Sequence, residues 1–345
     1  MGKIPLFFHE KYGDYSFGRF HPFNPNRFSR FVEEIKKEKK MNSKVEIMES
    51  PSVDDEVLKT VHMSQYIRKV KEKEKTGGSL TMDTPIKKGS PDAARRIVGG
   101  SLQAAKAMEE TDFAINLGGL HHAGPDYGEG FCIFNDVAVA AQYLLDEGKN
   151  VVIFDTDAHQ GNGTMDIFKK HPRVLFISMH QDPATLYPGR GYINEIGEKE
   201  GKGYKVNIPM PRDSNSADYH HAIEEIVKPV VDQFSPDVMI RNGGSDPHHA
   251  DSLTDLGLDM RGLKYLGEIS RSMAHDNGAG YIDLMLSGYG HRVVEGWKAI
   301  TIGTLGVDLP VPSDQKISDI DYDPKKKLVE IVDDLKEILE DYWDL

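Results

Sequence analysis

Short apolar runs recur along this chain, each closed by a turn rich in Gly, Asn or Asp and followed by a helix-like stretch. That alternation limits the fold more than any other feature of the sequence. The runs are FAINL at 113–117, VVIF at 151–154, VLFIS at 174–178, VMI at 238–240 and YIDLML at 281–286. A strand covered on both faces shows a continuous apolar run rather than a strict alternation, which is the signature of parallel strands under helices. Between the runs, 135–147, 216–233 and 260–276 carry apolar residues at helical spacing. Strand–helix alternation predicts an α/β fold, a central and mostly parallel sheet flanked by helices. Leu328, Val329, Ile331, Val332, Leu335, Ile338, Leu339 and Tyr342 predict a terminal amphipathic helix over 324–342. No repeat and no long linker interrupts residues 1–345, so a single domain is expected.

Composition then narrows the chemistry. The chain holds 14 His but 1 Cys. A lone thiol, Cys132, can close neither an internal disulfide nor a cysteine-rich zinc site, so any bound metal must be held by His and carboxylates. The formal charge of −13 argues against a nucleic-acid surface and suits cationic partners. No run of about 18 apolar residues is present, and the apolar part of MGKIPLFFHEKYGDYSF is too short for a secretory core. A cytoplasmic protein that neither spans nor enters a membrane is expected; the sequence does not decide its oligomeric state.

In open parallel sheets ligands bind beyond the carboxyl ends of the strands. The residues that follow each apolar run are therefore the informative ones. After 113–117 come His121 and His122; after 151–154 come Asp155, Asp157, His159 and Asn162; after 238–240 comes Asp246; after 281–286 comes Tyr289. Asp155, Asp157 and His159 stand at i, i+2 and i+4, so an extended continuation of the strand projects all three to one side. One carboxylate and one imidazole from this stretch, joined by Asp246, make a His/Asp/Asp set with an open position, the arrangement of a catalytic divalent metal. Taken alone, an Asp-x-His after a strand is more often a capped turn, and His-His doublets say little, since His220-His221 and His248-His249 also occur. Coincidence of several such pieces at strand ends carries the reading. No phosphate loop, no HExxH and no GxSxG elbow is present.

These residues resemble the histone deacetylase superfamily, which includes acetoin-utilisation proteins and acetylpolyamine amidohydrolases. The matching stretches are HPFNPNR (21–27), MDTP (82–85), GGLHHA (118–123), GFCIFND (130–136), DTDAHQGNGT (155–164), SMHQDPATLYPGRG (178–191), GGSDPHHADSL (243–253) and SGYG (287–290), in family order. The resemblance implies an arginase/deacetylase-like fold with an eight-stranded sheet and zinc-dependent hydrolysis of an acetamide. It implies zinc, or Fe2+ in its place, on Asp157, His159 and Asp246. His121 and His122 would be the catalytic pair, oriented by Asp155 and Asn162, and Tyr289 would polarise the carbonyl. Gly130, Phe131 and Tyr187 would contact the acyl chain, and Asp83 would orient the substrate backbone. A potassium ion would sit on Asp155, Asp157, His159, Ser178 and Met179. Substrates would be an acetylated protein, through acetyl-lysine, or a small acetylated amine.

Two positions depart from the family pattern. Asn162 stands where some members carry Asp: it can orient His122 but cannot stabilise its cation by charge, so an Asp there would move the acidic limb of the pH–rate profile upward. Gln160 stands where His is usual. Two other functions fit less well. A ureohydrolase of the same fold needs two metals and a DAHxD pattern, yet Gly161 occupies the place of its last Asp. A silent module binding acetyl-lysine or polyamine would need no Tyr289 and no histidine pair.

Overall fold

Val, Ile and Phe crowd the apolar runs, and all five runs form strands in the computed structural model, which describes residues 2–314 and 322–345. The strands are β1 (Ile4–Phe8), β2 (Val45–Glu49), β3 (Phe113–Asn116), β4 (Val151–Asp155), β5 (Val174–Gln181), β6 (Lys205–Met210), β7 (Val238–Gly244) and β8 (Gly280–Ser287). They hydrogen-bond in the order β2-β1-β3-β8-β7-β4-β5-β6, a single eight-stranded sheet flanked by helices. β4 pairs parallel with β5 and β7, and β5 with β6; β1 pairs parallel with β2 and β3. Helices fill the connections between parallel strands, except between β5 and β6, where the long segment 182–204 carries only the 3-10 turn Lys199–Gly201. None of them is long and apolar enough to cross a membrane, among the described residues.

The chain forms two compact units. The first takes in residues up to Gly148, then Gly161–Ile167 and Ile282–Leu286. Its helix Ser90–Ala107 buries Ala93, Ala94, Ile97, Val98, Gly99 and Gly100. Glycine inside a helix costs about 1 kcal/mol against alanine. Here a Cβ on Gly99 would stand 1.8 Å from the carbonyl oxygen of Pro51, so the helix approaches that backbone only because the side chain is missing.

The second unit takes in Lys149–Gln160, Phe168–Tyr281 and the chain from Ser287. β4 is buried at every residue. Helix Met260–Asp276 spans the expected residues, capped by the Asp259 carboxylate, which accepts from the Gly262 amide at 2.8 Å. The helix expected over 216–233 runs continuously over 216–234, with a wider turn at Ile223–Val227 between Ser216–Ala222 and Lys228–Phe234. Pro229 accounts for the wider turn, because it has no amide to close the regular ladder. The terminal helix runs over Lys326–Leu339 and buries Leu328, Val332, Leu335 and Leu339 against β6 and helix Ser216–Ala222.

β6 also carries a buried lysine. Lys205 Nζ donates to the carbonyls of Val174 (2.7 Å), Tyr204 (3.1 Å) and His171 (3.2 Å). Burial nevertheless pulls its ammonium down to about 7. Above that pH the unfolded chain binds the extra proton, so stability rises with pH until the ordinary lysine range near 10.5 is reached. Urea unfolding between pH 7 and 10 should show wild type gaining on Lys205→Met as pH rises; a constant difference would contradict this reading.

Candidate active site

Asp155 and Asn242 are register partners in β4 and β7, so the chain leaves two adjacent strands at the same level. Asp157 and His159 follow on one side and Asp246 on the other. All three are buried, and one ligand atom from each lies within 4.8 Å of the others. His159 Nδ1 is 3.1 Å from Asp157 Oδ1 and 3.1 Å from Asp246 Oδ2. The carboxylates are held in place: Asp246 Oδ1 accepts from Ser287 Oγ at 2.6 Å and its Oδ2 from the Ala158 amide at 3.2 Å, while Asp157 Oδ1 accepts from the His159 amide at 2.8 Å.

The electrostatics of this cluster call for a cation. Burial, and then the neighbouring Asp157 carboxylate, push Asp246 well above the usual carboxylate range. Burial would depress His159, yet the two carboxylates outweigh it and push the imidazole up to about 10. Two buried anions thus compete for one proton on His159, and a divalent ion satisfies both while taking the imidazole as a third ligand. Two oxygens and one nitrogen without thiolate suit zinc or ferrous iron.

Tyr289 packs its ring edge-on to His159, with centroids 6.0 Å apart and planes at 87°. The turn that places it demands glycine: Gly288 has φ +122°, and a Cβ there would meet Ser245 Oγ at 2.1 Å. The Tyr289 amide donates to Asp251 Oδ2 at 2.6 Å. Burial pushes Asp251 up to about 7 against the two amide donors, Leu253 and Tyr289, that it accepts from.

In the first unit, His121 and His122 are buried with ring centroids 4.1 Å apart. Their loop hangs on the residues that open helix Asp136–Asp146. Asn135 Nδ2 donates to the carbonyls of His121 (3.3 Å) and Ala123 (2.9 Å). The Asp136 carboxylate accepts from the amides of Gly119 (3.0 Å) and Leu120 (2.5 Å) and from Ser101 Oγ (2.5 Å). His122 Nδ1 meets Asn162 Oδ1 at 2.7 Å, as expected of an orienting amide.

Known proteins share this arrangement of sequence. The family model described as "Histone deacetylase domain" matches residues 21–303. A "Probable deacetylase" of Archaeoglobus fulgidus is 36% identical over 289 residues, 82% of this chain and 80% of that protein. The "Acetoin utilization protein AcuC" of Bacillus subtilis is 34% identical over 313 residues, 86% of this chain and 81% of its own length. The chain belongs to the histone deacetylase family. The crystal structure of the HDA15 HD domain superposes with a TM-score of 0.87 at 26% identity, covering 99% of this chain and 97% of that one. The arginase/deacetylase-like fold expected from the motifs is therefore the fold of this family member.

The remaining family positions fall as follows. Asp83 is half-buried; its Oδ1 accepts from Thr84 Oγ1 at 2.9 Å and from Thr81 Oγ1, and its carbonyl faces His21 Nε2 at 3.0 Å. Gly130 and Phe131 are both left-handed, with φ 54° and 65°. The Phe131 ring packs on His21 with centroids 4.4 Å apart. Tyr187 is 39% exposed. Asp155 accepts from the Asp157 amide and from Asn242 Nδ2, both at 3.1 Å, and its register partner across β4 and β5 is Ser178, which precedes Met179. Gln160 Nε2 donates to Asn207 Oδ1 at 3.1 Å, and His180 is buried between Ser178 Oγ and the Gly191 carbonyl, both at 2.9 Å.

A second cluster with ligand atoms within 4.8 Å joins His248, His249 and Asp314. Each imidazole Nε2 stands 2.7 Å from one Asp314 oxygen. His248 Nδ1 accepts from the Ala250 amide at 3.1 Å, so its proton must be on Nε2, pointing at the carboxylate. In that tautomer the cluster is a hydrogen-bonded clasp on Asp314.

Asn135 and Asp136 hold the His121–His122 loop of the first unit, and Asp251 holds the Tyr289 amide in the second; no motif marks any of the three roles. Their partners are mostly main-chain amides and carbonyls, which leave no motif of their own. Asp136→Ala would strip three buried donors of their acceptor, at about 1–3 kcal/mol each. A drop of at least ~3 kcal/mol in unfolding free energy is expected by urea titration, with Asp136→Asn less severe; a drop no larger than that of an exposed Asp→Ala would refute the role.

Proposed function

We propose that this histone deacetylase-family chain is a metal-dependent deacetylase, hydrolysing the acetamide of acetyl-lysine in a protein or of a small acetylated amine. The buried Asp157–His159–Asp246 cluster, edge-on to Tyr289, carries the proposal. Asp157, His159 and Asp246 would hold Zn2+, or Fe2+ in its place. When bound, such an ion supplies Lewis acidity toward a carbonyl and lowers the pKa of water.

The protein's own groups account for the rest. An amide needs a proton delivered to its departing amine, and an imidazole, which titrates near neutral pH, can accept a proton from water and return it to nitrogen. His121 and His122 would take that task, His122 oriented by Asn162. The Tyr289 hydroxyl donates to the oxygen on which negative charge develops. Gly130, Phe131 and Tyr187 hold the acyl chain, and Asp83 binds the substrate backbone. A potassium ion would be held by Asp155, Asp157, His159, Ser178 and Met179. We further propose that residues 1–345 act as a single domain in the cytoplasm, without direct nucleic-acid contact, consistent with the charge of −13.

A ureohydrolase reading is disfavoured by Gly161, which offers no carboxylate for a second ion. Turnover of a fluorogenic acetyl-lysine peptide, an acetylpolyamine and a small acetylated amine should be measured after chelation and after add-back of zinc or iron. Activity on at least one substrate should return with metal. Tyr289→Phe should lower kcat about 10²–10³-fold, the usual loss for one oxyanion donor. Failure of wild type to exceed the Tyr289→Phe variant on every substrate would favour a silent binding module. Asp246→Asn should abolish the metal-dependent rise in melting temperature; an unchanged rise would remove Asp246 from the ligand set.

A further inference from the structure

Asn162 is not the end of the hydrogen-bond chain that starts at His122. Its Nδ2 donates to Glu129 Oε1 at 2.7 Å and to the hydroxyl of Tyr127 at 3.3 Å, and that hydroxyl donates to Asp166 Oδ2 at 2.7 Å. We propose that Glu129 is a positioning residue for His122: through Asn162 it decides which ring nitrogen of the imidazole carries the proton. The proposal rests on the reading that the His121–His122 pair transfers protons.

An asparagine amide has two faces of opposite character, and either could be turned toward His122. An ionised carboxylate only accepts, so Glu129 admits only the NH2 of Asn162, which leaves Oδ1 for His122. Facing an acceptor, His122 Nδ1 must carry hydrogen, and a neutral ring then has its lone pair on Nε2. With the amide reversed, Nδ1 would face a donor, the proton would move to Nε2, and the ring could no longer accept a proton there. Glu129 thus does at one remove what a carboxylate in direct contact with histidine does in other hydrolases.

The backbone around Glu129 is built to hold this position. Its carbonyl accepts from the Cys132 amide at 2.8 Å, closing a turn through left-handed Gly130 and Phe131. A left-handed phenylalanine is strained. Two contacts fix it: the Phe131 amide donates to Thr84 Oγ1 at 3.0 Å, and Tyr15 OH donates to the Phe131 carbonyl at 2.6 Å.

The same geometry revises what an aspartate at position 162 would do. Its carboxylate would stand against Glu129, where the amide nitrogen now lies at 2.7 Å, and the two anions would repel. Asn162→Asp should therefore impair the enzyme while Glu129 is present. Once Glu129 is gone, the aspartate should act well, because a carboxylate presents only acceptors to His122 however it turns.

The test is a double-mutant cycle in the metal-loaded full-length protein, with turnover of the best substrate measured for Glu129→Ala, Asn162→Asp and the pair. Glu129→Ala should lower kcat about tenfold or more, the usual scale for an outer partner, with KM and melting temperature near wild type. Glu129→Gln, which keeps an acceptor, should recover part of the loss. Asn162→Asp alone should also lower kcat, and Glu129→Ala/Asn162→Asp should exceed both single variants. Wild-type kcat in Glu129→Ala, or a double variant no better than Glu129→Ala, would overturn the proposal. A readout independent of turnover is the 15N spectrum of histidine-labelled protein, with His122 assigned by its loss in His122→Gln. Wild type should show the Nδ1–H tautomer and Glu129→Ala a mixture with Nε2–H; identical tautomers would equally overturn it. If wild type turns over no substrate, the deacetylase reading fails while the spectrum still decides the role of Glu129.

Discussion

Two carboxylates buried side by side at the ends of adjacent strands are the constraint on which the second unit depends. Asp157 and Asp246 repel one another in a place from which water is excluded, and their attraction to His159 relieves this only in part. Each carboxylate is therefore tied down by neighbours that cannot move: the Ala158 amide, the His159 amide and Ser287 Oγ. Ser287 is held in turn, since its carbonyl accepts from Trp297 Nε1 at 2.8 Å and from the Ser245 amide at 3.1 Å. A fully buried tryptophan on helix Val293–Leu305 thus helps to set the position of a carboxylate. Core packing and ligand geometry are here one network, and the unbalanced charge at its centre is what a divalent ion would neutralise.

The first unit solves the opposite problem. There His122 meets an uncharged partner, the amide oxygen of Asn162 at 2.7 Å. The Asn135 and Asp136 side chains fix the loop through its backbone, and an amide whose orientation is itself held by Glu129 faces His122. A relay through Asn162 constrains direction without placing a full anion against the ring. Proton position is thus set by hydrogen-bond polarity, which is weaker than charge and needs every member of the chain in place.

The strands and site residues were legible where local sequence carried the information. Five apolar runs mark the buried strands because parallel strands under helices have no polar face to interrupt them. β1, β2 and β6 lie outside those runs, the last two for a physical reason: β2 lies at one edge of the sheet with three of its five residues exposed, and β6 contains Lys205, Asn207 and Pro209 within a fully buried strand. The helix over 216–233 was legible from its apolar spacing, whereas the wider turn at Ile223–Val227 was not, because spacing says nothing of which amide closes the ladder. Asp157, His159, Asp246 and Tyr289 were visible because each stands just beyond a strand, where chemistry collects. Glu129, Asn135, Asp136 and Asp251 were not, because what they grip lies 12 to 38 residues away and is mostly main chain.

By itself, the sequence determined the fold class, the family and the types of group available for chemistry, since hydrophobic periodicity and turn glycines are local properties of the chain. Tertiary structure decided which of those groups meet. It gave two His/Asp clusters different surroundings: two buried carboxylates share the His159 imidazole in one, and two imidazoles close on Asp314 in the other. It also turned an apparent deficit at Asn162 into a relay, because Glu129 stands behind the amide. Such assignments depend on the direction of individual donors and acceptors in space, and no linear spacing encodes them.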